Sequence, residues 1–160
     1  MGENKVKTFA SHHAQVWSGQ PWYGTDCKTG MSGISPALAV HRVSGQHNIA
    51  EITHHMTQWK KFALEKIKGN AHFDIQFQGE EDWKTIDQLD EVSWNQIIDS
   101  FNEVSQSLID QINLKEDSLL EQIVPGRKYT YTSLLQGITE HDIYHLGQIL
   151  ILKKIGQHGI

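Results

Sequence analysis

Apolar residues recur along this chain three and four positions apart, a period that predicts amphipathic helices. Val6, Phe9, Ala10, His13, Val16 and Trp17 share one face between about Lys5 and Trp17, and Gly19 and Pro21 then break the period. From about Asn48 to Lys68 the stripe is Ile49, Ile52, His55, Met56, Trp59, Phe62, Ala63 and Ile67, closed by Gly69 and Asn70. A third stripe, from Trp94 through Phe101 and Leu108 to Ile112, opens at Ser93, a good N-cap. The fourth runs from about Thr132 to Ile155. It carries Leu134, Leu135, Ile138, His141, His145, Ile149 and Leu152, and Gly156 ends it.

The connections are uneven. Residues 18–46 predict a short helix or turn around Asp26 to Met31. A second is expected from Pro36 to about Val43, with Ser35 as cap and proline at its first position. In residues 70–92, Phe73, Ile75 and Phe77 alternate like a short extended piece, and Glu80-Glu81-Asp82 is a charged break. A connection this long between helices usually has a task or covers something. Residues 114–124 either prolong the third helix or start a new one. The reading is all-α: a four-helix bundle with uneven connections and short extra helices. No repeat or linker divides the chain, so 1–160 reads as one domain.

Composition narrows the function classes. Net charge is −5 and the basic residues are scattered, so nothing global draws this chain to nucleic acid or anionic lipid. Lys60, Lys61, Lys66 and Lys68 spread around a helix and read as a solvated helix end. No basic-then-apolar leader opens the sequence, and no apolar run approaches the ~20 residues of a membrane span. Cys27 is the single cysteine, which excludes an internal disulfide and makes a reducing, cytoplasmic setting the expectation. There is no phosphate-cradling glycine loop, GxSxG or CxxC.

Ten histidines carry the chemistry. His141 and His145 lie four apart, which stacks them on one helical face among Ile138, Ile149 and Leu152. Two imidazoles so placed can reach one ion. His55 occupies the apolar seam between Ile52 and Trp59, where a polar ring must be hydrogen-bonded or ligated. Three histidines on core faces of two helices match the three-ligand open site of catalytic zinc enzymes. Three separately satisfied core or interface histidines would give the same pattern. His54 falls about 100° from His55 around the helix, off the stripe. His13 lies on the apolar face of the first helix, either as a satisfied core group or lining the same cavity. Glu51, Asp142 and Gln148 are positioned to orient metal-bound rings or are ordinary helix-surface groups. His47 reads as a cap of the second helix, and Gly147 as a close helix approach.

At these residues the chain resembles the DinB-like (DinB/YfiT-like) superfamily. Asn48 to Trp59, with His55 one turn before the aromatic, is similar to that family's second-helix pattern. Gly137 to Lys154, with His141, His145 and Gly147-Gln148, is similar to its C-terminal HxxxHxGQ signature, and Trp22-Tyr23-Gly24 fits one branch. The resemblance implies a helical bundle, often a homodimer. It also implies a metal site formed by His55, His141 and His145, with zinc, nickel or a similar ion beside a small open cavity. Relatives include bacillithiol-dependent S-transferases and a mycothiol-dependent maleylpyruvate isomerase, in which a metal activates a low-molecular-weight thiol.

The first expectation is therefore a metal-dependent enzyme of the thiol-transferase type acting on a small molecule. Glu51 would orient a ligand, and Tyr23 and His13 would line the cavity. A metal-dependent hydrolase and a non-catalytic metal- or ligand-binding stress protein are the alternatives.

Overall fold

A computed structural model describes residues 4–158, which form six α-helices and no strand. The helices are α1 (Lys5–Ser18), α2 (Cys27–Met31), α3 (Pro36–Ala39), α4 (Ile49–Ile67), α5 (Glu91–Asn113) and α6 (Tyr131–His158). A 3-10 turn at Asp117–Leu119 follows α5, so residues 114–124 do not prolong that helix.

Each of α1 to α5 begins where a side chain accepts an otherwise unpaired N–H: Asn4, Asp26, Ser35, Asn48 and Asp90. At α4 the Asn48 side chain and Glu51 form a reciprocal capping box, so His47 is not the cap. Helix α5 starts before the expected Ser93. Asp90 is its cap, and the backbone N–H of Ser93 is the group capped. Helix α3 stops at Ala39, short of the expected Val43.

The four long helices pack in a ring, α4 against α5 and α6, and α1 against α5 and α6. Phe62, Leu108, Ile112 and Leu135 are fully buried in one core cluster; Ile49, Met56, Phe101 and Ile149 lie in a second. Helix α2 lies on α6, where a Cβ at Gly30 would meet Leu146 Cδ1 at 2.7 Å. Gly156 does not end α6; a Cβ there would come within 2.2 Å of Leu38 Cδ1, so glycine admits the neighbouring α3. Gly147 faces open space, and no close helix approach explains it.

Two lysines of α4 overturn the solvated-end expectation. Lys60 and Lys66 are 1% and 2% exposed. Lys60 Nζ lies 2.5 Å from Asp142 Oδ2 on α6, and Lys66 Nζ donates to the carbonyl of Ala71 at 2.7 Å. Segments packed on α4 cover both side chains, and each ammonium finds an acceptor and a phenyl face, Phe101 or Phe62.

The connection from α4 to α5 contains no strand; the alternation of Phe73, Ile75 and Phe77 finds no neighbouring strand to pair with. Instead it is strapped along α4. Ile86 N–H donates to Glu51 Oε1 at 3.0 Å, and Asn48 Nδ2 donates to the Ile86 carbonyl at 2.6 Å. Asp82, fully buried, accepts from the Trp59 indole and from the Gln78 backbone, both at 2.8 Å. Among the described residues no helix is long and apolar enough to cross a membrane.

Candidate metal centre

Helix α4 delivers His55 and α6 delivers His141 and His145 to one point. His55 Nε2 lies 2.9 Å from His141 Nε2, and one nitrogen from each of the three rings lies within 4.8 Å of the other two. His55 and His145 are buried and His141 is half-buried.

All three rings are held neutral near pH 7. Burial is the largest cause for each. It lowers His141 to about 3, with the neighbouring His145, His55 and Lys60 adding to the effect. His145 falls to about 4 although its bond to Gln148 opposes the shift. The His55 pKa is also lowered, burial outweighing the favourable field of Asp82. A neutral imidazole keeps one lone pair for a cation, so this cluster can bind metal without first giving up protons.

The surroundings fix which nitrogen carries that lone pair. His55 Nδ1 sits 2.7 Å from Asp82 Oδ1, off the straight line of an ideal hydrogen bond. His145 Nδ1 sits 2.7 Å from Gln148 Oε1. Both contacts assign the proton to Nδ1 and leave Nε2 as the free acceptor. His55 Nε2 then faces His141 Nε2, and His141 Nδ1 is buried without a protein partner. With the His141 proton on Nε2 the two rings share an N–H···N hydrogen bond; with it on Nδ1, the three Nε2 lone pairs converge on one point that suits a cation. Tetrahedral zinc with bonds of ~2.0–2.1 Å would separate its ligand nitrogens by roughly 3.3 Å, between the 2.9 Å of His55 and His141 and the 4.8 Å that bounds the cluster. The residues present fit a divalent transition metal.

Trp83 forms one wall. Its ring stacks on His55 with centroids 3.8 Å apart, and His47 stacks on its other side at the same distance. The histidines open into a cavity of about 900 Å³ between α4, α6 and the strap, lined also by Ile52, Phe77, Ile138, Tyr144 and Ile151.

Other predicted residues lie elsewhere. His54 Nε2 is directed to the Glu81 carbonyl at 3.2 Å, away from the cluster. Glu51 does not orient a histidine of the centre. Its carboxylate is taken by Arg42, His47 and the N–H groups of Asn48 and Ile86. Burial would raise the Glu51 pKa, but those bonds overcome it and bring it to about 2. Tyr23 and His13 do not line the cavity. Tyr23 is 43% exposed outside it, and His13 lies in the interior beside Thr139 Oγ1, 3.2 Å from Nε2. Asp142 turns to Lys60 rather than to its neighbour His141. Cys27 is buried and its pKa raised, chiefly by burial, so it is no ready nucleophile.

Sequence reasoning missed Asp82 and Trp83. Both sit in the strap, distant in sequence from the helices they serve. The only signal was the length of that connection and a tryptophan beside its acidic run.

The sequence profile of the DinB superfamily matches residues 30–149. The chain belongs to the DinB superfamily. The DinB match contains His55, His141 and His145, together with Asp82, Trp83 and Gln148; it does not reach His13 or Tyr23. No curated protein and no solved structure matches the chain significantly.

Proposed function

We propose that this DinB protein is a metal-dependent enzyme in which His55, His141 and His145 hold one divalent transition metal, zinc or nickel, and activate a low-molecular-weight thiol or a water. The convergence of three neutral imidazoles within 4.8 Å, with Asp82 beside His55 Nδ1 and Gln148 beside His145 Nδ1, carries this reading. Bound there, the metal would supply Lewis acidity, lowering the pKa of the thiol or water and placing the resulting anion against an electrophile.

The chain's own residues do the remaining work. Asp82 and Gln148 orient two imidazoles. Trp83 and Trp59 shield one side of His55 from water. Among the described residues no carboxylate or cysteine joins the three histidines as a fourth ligand, which supports an open position and a reactive centre over a structural one. The homodimer belongs to the same proposal through the family resemblance.

Turnover of a generic electrophile by metal-loaded protein, with and without added thiol, tests the reading. The thiol-transferase account expects activity only with thiol. Activity without thiol would select the hydrolase instead, and no turnover in either condition with metal bound would select a binding protein.

A further inference from the structure

The cavity above the histidines contains no formal charge of its own. Among the described residues that line it there is no Lys, Arg, Asp or Glu. Its walls are mostly aliphatic and aromatic: Ile52, Leu134, Ile138 and Ile151 with Phe77 and Tyr144. The charged groups nearby are already committed. Arg42, whose Nη1 touches the carbonyl of the lining Gln46, is paired with Glu51 and Asp87. Lys60 is paired with Asp142 beneath the histidines, and Asp82 accepts from Trp59 and Gln78. The polar lining side chains outside the metal centre are the uncharged Gln46, Tyr129, Ser133, Tyr144 and Gln148, whose carbonyl is held by His145, and His47, which is held by Glu51.

A pocket of this kind selects by exclusion. A carboxylate or ammonium placed against these walls would lose its hydration and find no counter-charge. A single anion is favoured at only one point, where a cation held by three neutral rings would leave positive charge. The volume, about 900 Å³, lies within the range of roughly 300–1,000 Å³ typical of small-molecule sites.

We infer that the site takes a ligand with one metal-directed donor atom on an uncharged, apolar or aromatic body, and rejects donors whose body carries further carboxylates. This rests on the metal reading above, and it narrows the thiol of that reading to a neutral hydrophobic one or, with water as nucleophile, the electrophile to an apolar one.

Two matched pairs test it. Cobalt(II)-loaded protein is titrated with benzyl mercaptan and with 4-(mercaptomethyl)benzoate, following the thiolate-to-cobalt absorption band. The two share a donor and differ in one distal charge. The neutral thiol is expected to bind at least ten-fold more tightly. Ile151 lines the cavity, is 61% exposed, and lies six residues, about 9 Å along the axis, beyond His145. Ile151→Lys is expected to narrow the gap by strengthening binding of the carboxylated thiol.

The second pair uses metal-free protein, with uncharged N-phenyl-1-naphthylamine against its anionic sulfonate, 1-anilinonaphthalene-8-sulfonate. The uncharged dye is expected to bind at least ten-fold more tightly. Equal or tighter binding of the charged member in either pair overturns the inference. If cobalt fails to bind, the metal reading falls, and the dye pair decides the cavity's chemistry alone. If both dyes are excluded and sedimentation shows a dimer, a second copy of the chain fills the cavity and the inference is overturned.

Discussion

Asp82 and His55 meet at 2.7 Å across a connection that sequence alone leaves without structure. The carboxylate lies in the strap between α4 and α5, the imidazole on α4, and the Trp59 indole one turn on from His55 donates to the same oxygen. Asp82 thus links the fold of the strap to the orientation of a candidate metal ligand.

Replacing it should separate those roles. Asp82→Asn keeps an acceptor for Trp59 but removes the negative charge that holds the His55 proton on Nδ1. The expected outcome is a loss of roughly 10–100-fold in metal affinity, with helical content unchanged. Competitive titration with a chromophoric chelator measures it. Unchanged affinity would mean that Asp82 serves only the strap.

The Lys60–Asp142 pair is buried on both sides, each residue 1% exposed. Removing one partner strands a charge in the core. Lys60→Met alone should cost about 3–5 kcal/mol of stability. The double variant Lys60→Met, Asp142→Leu should recover most of that loss, because paired removal leaves no orphan. Urea denaturation of the wild type, both singles and the double variant closes the cycle. A double variant as unstable as the sum of its singles would show zero coupling between the two side chains and contradict their acting as a buried pair.

Acid should destabilise the metal-free protein through His13 as well as through His55, His141 and His145, whose pKa values burial also lowers. Burial, followed by the Lys60 and His12 charges, lowers the His13 pKa to about 3. An unfolded histidine titrates near ~6.5, so below that pH the unfolded chain takes up a proton that the folded chain refuses. The contribution to stability is complete above about pH 6.5 and is lost as pH falls towards 3, by up to about 1.4 kcal/mol per pH unit. His13→Leu should flatten the decline in stability between pH 6.5 and 4.5, with Thr139 Oγ1 still donating to the Leu135 carbonyl. Chemical denaturation across that range, with chelator present, reads the slope. The slope left in the variant belongs to the three clustered histidines; a slope as steep as wild type would mean that His13 contributes nothing.

The parts of this molecule carried by local periodicity are legible in the sequence. The four long stripes become α1, α4, α5 and α6, and the seam position of His55 against off-seam His54 follows from helical geometry. The i, i+4 pair on α6 was legible for the same reason. What escaped depends on contacts between segments. Lys60 and Lys66 looked solvated because a helical wheel does not show which neighbour covers each side; Asp142 and Ala71 do. Glu51 looked like a ligand orienter because it lies one turn from His55, but the capping box and Arg42 claim it first. Asp82 and Trp83 were hidden because an irregular strap has no period to read.

Metal stoichiometry tests the central claim most directly. Protein purified without chelating resin, then analysed for elemental content, should carry one zinc or nickel per chain. His141→Ala should carry none while keeping its helical circular dichroism. Full metal occupancy in His141→Ala would contradict the three-histidine centre.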